Sequence, residues 1–166
     1  MKKADRLEAF IKSLGPSIAA TESPCYLGYF VCFNRSQYYE AHDVLEHLWL
    51  RSSGPDRQFY KGLIQLAGAF VHLKLHHQFP SHPVHGRRLR PAARLFLIST
   101  NHLRPFAPLH HRLDIESAIR LAASFLSQLK STDFTSNPWH PNRLPELVLL
   151  PESQETSGQH SADTGF

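Results

Sequence analysis

Cysteine and methionine are scarce, with two Cys and one Met in 166 residues. Cys25 and Cys32 stand seven apart, which on a helical pattern puts both on one face. They read as small buried hydrophobes rather than as a disulfide or half a zinc site. No HExxH and no paired CxxC occurs anywhere in the chain. Long apolar runs are missing too. The longest, Leu63 to Leu75, is interrupted by Gln65, His72 and Lys74 and falls short of the roughly 20 residues that span a bilayer. At the start, MKKADRLEAFIKSLG carries two lysines, but Glu8 and Lys12 break any signal-peptide core. A cytoplasmic chain with no membrane partner is the expectation. Alternating β-branched runs are few, and eight Gly with twelve Pro argue against sheet. The formal charge of +4 is too modest to demand a nucleic-acid partner, though it permits one.

What is present is apolar content of 42%, enough for a real core, and helical periodicity nearly throughout. Leu7, Phe10, Ile11 and Leu14 mark a first helix that stops at Gly15-Pro16. A second runs from Pro24 to Phe33, with a corner at Asn34-Arg35, where Asn tolerates the left-handed conformation. Ser36 is the expected N-cap of the next helix and Asp56 that of the one after, Arg57 to about His76. Pro91 to about His102 forms another, and Asp114 caps an amphipathic helix carrying Ile115, Ala118, Ile119, Ala122, Phe125, Leu126 and Leu129. The fold class predicted is all-α: a compact multi-helix bundle around a central buried helix, with no sheet. Residues 1–150 form one helical domain, and 151–166, polar and low in bulk, a disordered C-terminal tail.

The densest chemistry lies in FNRSQYYEAHDVLEHLW, Phe33 to Trp49. On a wheel of about 100° per residue, Tyr38, Ala41, Val44, Leu45, Leu48 and Trp49 fill an arc of roughly 140°. His42 and Glu46, four apart and stacked, border that arc beside Trp49; Glu40 borders the other edge. Asp43 and His47 fall on the outer, solvated face. His42 and Glu46 are therefore half-buried, either as an intrahelical ion pair or as a ligand pair.

The following helix is apolar nearly all round except for a stripe of Gly62, Gln65, Gly68, Ala69, His72 and His76. Small residues inside a helix mark close approach of another backbone. The short Ser52 to Pro55 connection makes the preceding helix that neighbour, antiparallel. The stripe then sets Gln65 and His72 against His42 and Glu46, between helices 36–51 and 57–76. A buried His-Glu-His cluster must be hydrogen-bonded, neutralised or metal-bound. Two His and a carboxylate suit zinc or non-haem iron, while a satisfied polar network would fix the packing instead. The segment 76–94, with His76, His77, His82 and His85 before Arg87, Arg88, Arg90 and Arg94, reads as a solvated loop rather than a phosphate-binding one.

The blocks FNRSQYYEAHDVLEHLW and FYKGLIQLAGAFVHLKL, with LRPFAPLHHRLDIESAI further on, resemble the bacterial, archaeal and plastid family catalogued as domain of unknown function 309. The matching pattern is Phe33-Asn34, Tyr39-Glu40-Ala41-His42, Glu46, Trp49, Tyr60, Gly62-Leu63-Ile64-Gln65 and His72. The resemblance implies an all-helical fold and the general label of metal-dependent hydrolase, with no substrate named. It carries Glu40, His42, Glu46, Gln65 and His72 into the family's polar positions. On that reading His42, Glu46 and His72 hold a divalent metal (zinc, iron or manganese), Glu40 or a metal-bound water is the catalytic base, and Gln65 and Tyr38 line the site around a small-molecule substrate. The competing class is a non-catalytic helical module with a structural buried His/Glu network and a protein partner. Arg35-Ser36 in place of a usual glycine, and the His- and Pro-rich segment 76–86, depart from the family at the rim of the site.

Overall fold

Prolines in first turns and polar caps set several of the helix starts among the described residues. The computed structural model describes residues 2–13 and 22–152. The expected stop at Gly15-Pro16 and residues 153–166 of the expected tail lie outside them. Among the described residues run six α-helices: α1 Lys3–Ser13, α2 Pro24–Asn34, α3 Tyr38–Leu50, α4 Pro55–Gln78, α5 Leu89–Leu103 and α6 Ile115–Ser131. Short 3-10 turns, His85–Arg87 and Arg104–Phe106, flank α5, and a hairpin of β1 Leu109–His110 and β2 Leu113–Asp114 precedes α6. The all-α class holds. The departure from a sheet-free chain is that hairpin, which pairs Leu109 with Asp114 and His110 with Leu113.

Ser23 caps α2 by accepting from the Cys25 N–H, and Asp114 caps α6 as predicted, accepting from the Ser117 N–H at 3.0 Å. Two predicted caps move. Ser36 takes a φ of 57° and Gln37 becomes the N-cap of α3, without a side-chain bond. The left-handed corner expected at Asn34-Arg35 is thus Ser36. Asn34 instead ends α2 and clamps Leu147, donating to its carbonyl and accepting from its N–H at 2.8 Å each. Gly54, at φ 70°, caps α4, so Asp56 falls inside the first turn with its carboxylate turned to other partners.

At 24 residues α4 is about 36 Å long and forms the centre of the bundle. It packs against both α3 and α5, while α2 lies on α3 and α6 on α5. Phe70 of α4 stacks on Tyr38 and meets Phe33, Phe96 and Phe125 edge-on, linking four other helices through one ring. Each such ring buries about 150–250 Å², a gross gain of about 4–6 kcal/mol before entropy. The extended segment after α6 closes the core with Trp139 and Leu147, both buried. Cys25 and Cys32 are buried free thiols on α2, as their spacing predicts. No helix among the described residues is long and apolar enough to cross a membrane.

Candidate functional site

The stripe of small residues on α4 serves α5, not α3. A Cβ at Gly62 would meet Leu103 at 2.9 Å and His102 at 3.2 Å, and one at Gly68 would meet Leu95 at 3.3 Å. Ser99 of α5 also donates to the Gly62 carbonyl at 2.7 Å. Helix α3 packs instead where Phe70 stacks on Tyr38 and Lys74 donates to the Ser36 carbonyl. A helix as wrapped in apolar residues as α4 has two neighbours to satisfy, and the short connection says only that α3 is one of them.

The predicted constellation is split as a result. Gln65 Oε1 accepts from His102 Nδ1 at 2.7 Å. His72 Nδ1 lies 2.9 Å from Arg88, and since a guanidinium only donates, the imidazole accepts. Burial, then the Arg88 charge, holds His72 below the ordinary imidazole range. Tyr38 is buried, its hydroxyl accepting the Trp139 indole N–H at 2.9 Å, and burial pushes its phenol up to about 12 against that bond. Gln65, His72 and Tyr38 therefore have structural partners away from His42.

His42 and Glu46 do meet, and the residue that joins them is Asp43: their ligand atoms all lie within 4.8 Å of one another. His42 Nδ1 stands 3.3 Å from Asp43 Oδ1. Asp43, expected on the solvated face, has a side chain 19% exposed against 32% for His42. Arg6, Leu7 and Phe10 of α1, with Tyr39, Glu40, Asp43 and Val44 of α3, line a cavity of about 360 Å³. Glu40, exposed, lines this cavity and also a second of about 260 Å³ shared with Val71, Lys74 and Leu75 of α4. It stands on the ridge between them, the far edge from His42 that the wheel assigned it. The Tyr39 ring lies parallel to the His42 ring at 6.4 Å.

A second group of ligand atoms within the same 4.8 Å limit is Asp56, His110 and His111, which no periodicity linked. The available signal was the His-His pair just before a capped helix. Nothing local connects it to an aspartate 54 residues earlier.

Neither the curated proteins nor the solved structures compared with this chain include a match. Residues 26–78, the stretch from α2 through α3 to the end of α4, match the model of a family described as Domain of unknown function (DUF309).

Proposed function

We propose that the chain is a metal-dependent hydrolase whose site lies on the α1 side of α3 rather than between α3 and α4. His42, Asp43 and Glu46 would hold a divalent ion (zinc, iron or manganese), and the adjoining cavity would take a small organic substrate. The observation that carries this reading is Asp43, which belongs both to the metal-capable group and to the cavity wall. One imidazole and two carboxylates within 4.8 Å are a donor set that fits these ions. A bound divalent ion supplies what the helix face lacks, bringing the pKa of its water toward about 7. Glu40 on the same wall is the proton acceptor, Arg6 meets an anionic part of the substrate, and Leu7, Phe10 and Val44 receive its apolar part.

The test is turnover of chromogenic carboxylic and phosphate esters by tag-free protein, stripped with a chelator and reloaded with zinc, iron or manganese. Metal-dependent hydrolysis is expected. Glu40→Gln should slow it by about 10²–10⁴-fold with metal content unchanged. Metal uptake indifferent to His42→Ala combined with Glu46→Gln would sink the reading. A non-catalytic interaction module is favoured by Tyr39 and Leu50, each 63% exposed on α3. In that case the ligand variants leave function intact, and Tyr39→Ala or Leu50→Ala abolishes partner binding.

A further inference from the structure

Residues 22, 56 and 110–111 are remote in sequence, yet their polar ends converge. Asp56, in the first turn of α4, accepts from His110 Nε2 at 2.8 Å through one oxygen and from His111 Nε2 at 2.9 Å through the other. On the far side of the second ring, His111 Nδ1 lies 3.4 Å from the Glu22 carboxylate. Aromatic walls fix both imidazoles. Phe59 and Phe106 pack against His110 at 4.7 and 4.8 Å, and the Tyr60 ring lies parallel to His111 at 6.3 Å.

The backbone is committed to this aim. The two-residue turn between β1 and β2 consists of His111 and Arg112, at φ 43° and 62°. Turns of that conformation favour Asn-Gly, because side chains rarely adopt it. The turn is held from both sides: Tyr26 donates its hydroxyl to the His111 carbonyl at 2.7 Å, and the Leu150 N–H bonds the Arg112 carbonyl at 2.7 Å.

We propose that Asp56, His110 and His111 are ligands of a divalent transition-metal ion of the zinc type, with Glu22 orienting His111 from behind. This does not rest on the α3 reading. The ion takes the place of the two N–H protons that Asp56 now accepts. Each imidazole turns its Nε2 lone pair to the metal and carries its proton on Nδ1, and on His111 that proton faces Glu22. A carboxylate behind a ligating imidazole is the usual outer partner of such a ligand. Two imidazoles with one carboxylate favour zinc or a neighbouring first-row ion over magnesium or calcium, which take oxygen ligands. Three protein ligands leave the fourth position of a tetrahedral ion to water. The ion ties the start of α4 to the hairpin that launches α6.

Calorimetric titration with zinc and with magnesium decides it, using the chelator-stripped, tag-free full chain carrying His42→Ala and Glu46→Gln. One zinc per chain and no magnesium are expected. Either His110→Ala or His111→Asn should weaken zinc at least a hundredfold, and Glu22→Gln by about 10–100-fold. Asn is chosen at 111 because it tolerates the left-handed turn, and circular dichroism with a melting curve verifies the fold. Should that variant not fold, His110→Ala, in extended backbone, carries the test. Absence of zinc binding, or affinity undiminished in the folded histidine variants, overturns the proposal and reduces the cluster to a hydrogen-bonded network. An ion that disappears with His42 and Glu46 alone leaves the α3 reading standing and this one refuted.

Discussion

Among single residues, the pair Tyr38 and Trp139 shows how one hydroxyl joins two distant parts of the chain. Both are buried, 101 residues apart, and the indole N–H has the Tyr38 oxygen as its partner. Tyr38→Phe keeps the ring in its stack with Phe70 but strands that N–H, at about 1–3 kcal/mol. The urea midpoint should fall accordingly. Adding Trp139→Phe should cost less than the sum of the two single changes, since the second removes a donor already without a partner. Tyr38 was legible as apolar-facing from the wheel. That its hydroxyl would be satisfied from the extended segment after α6 was not, because no local spacing encodes a contact of that separation.

Between elements, the glycines of α4 make a sharper contrast. Gly62 faces Leu103 atoms at 2.9 Å, whereas Gly68 faces a single Leu95 methyl at 3.3 Å. Ala gains about 1 kcal/mol of helix propensity at either site. At Gly62 overpacking of about 1–3 kcal/mol outweighs that gain, so Gly62→Ala should lower the melting temperature. At Gly68 a methyl gives way by a few tenths of an ångström, so Gly68→Ala should be neutral or stabilising. The sequence marked both as points of close approach, and it was right about the approach and wrong about the partner.

The loop after α4 is tied down by Arg88, which bonds His85 at 2.7 Å and His72 at 2.9 Å. Burial, then the charge of Arg88, depresses His72. A base with a depressed folded pKa contributes stability that is complete above its unfolded value of about 6.5 and is lost as pH falls through the folded value. Acidification from about pH 7 to about pH 5 should therefore lower the urea midpoint. His72→Gln, which keeps an acceptor for Arg88, should remove part of that slope.

For the molecule as a whole, the extended segment after α6 is part of the core rather than an appendage. Trp139 is 3% and Leu147 4% exposed, Asn34 clamps Leu147 by two bonds, and Leu149 bridges Leu113 beside the hairpin. Truncation after Ser136 should cost more than the about 3–5 kcal/mol of a buried Trp→Ala change, and would be read as a collapsed denaturant midpoint or loss of the cooperative transition. The proline-rich composition there suppresses helix and sheet patterns alike, so no periodicity marks the segment for burial.

Helical class, the centrality of α4, the buried thiols and the Asp114 cap followed from the sequence itself, because period, capping and composition are local properties of the chain. The tertiary structure decided which face meets which neighbour. It sent Gln65 and His72 to α5 and Arg88, set Asp43 on one cavity wall with α1, and carried His110 and His111 to Asp56. Those outcomes depend on how several apolar faces share one core, and a contact between residues 54 apart leaves no periodic trace in the chain.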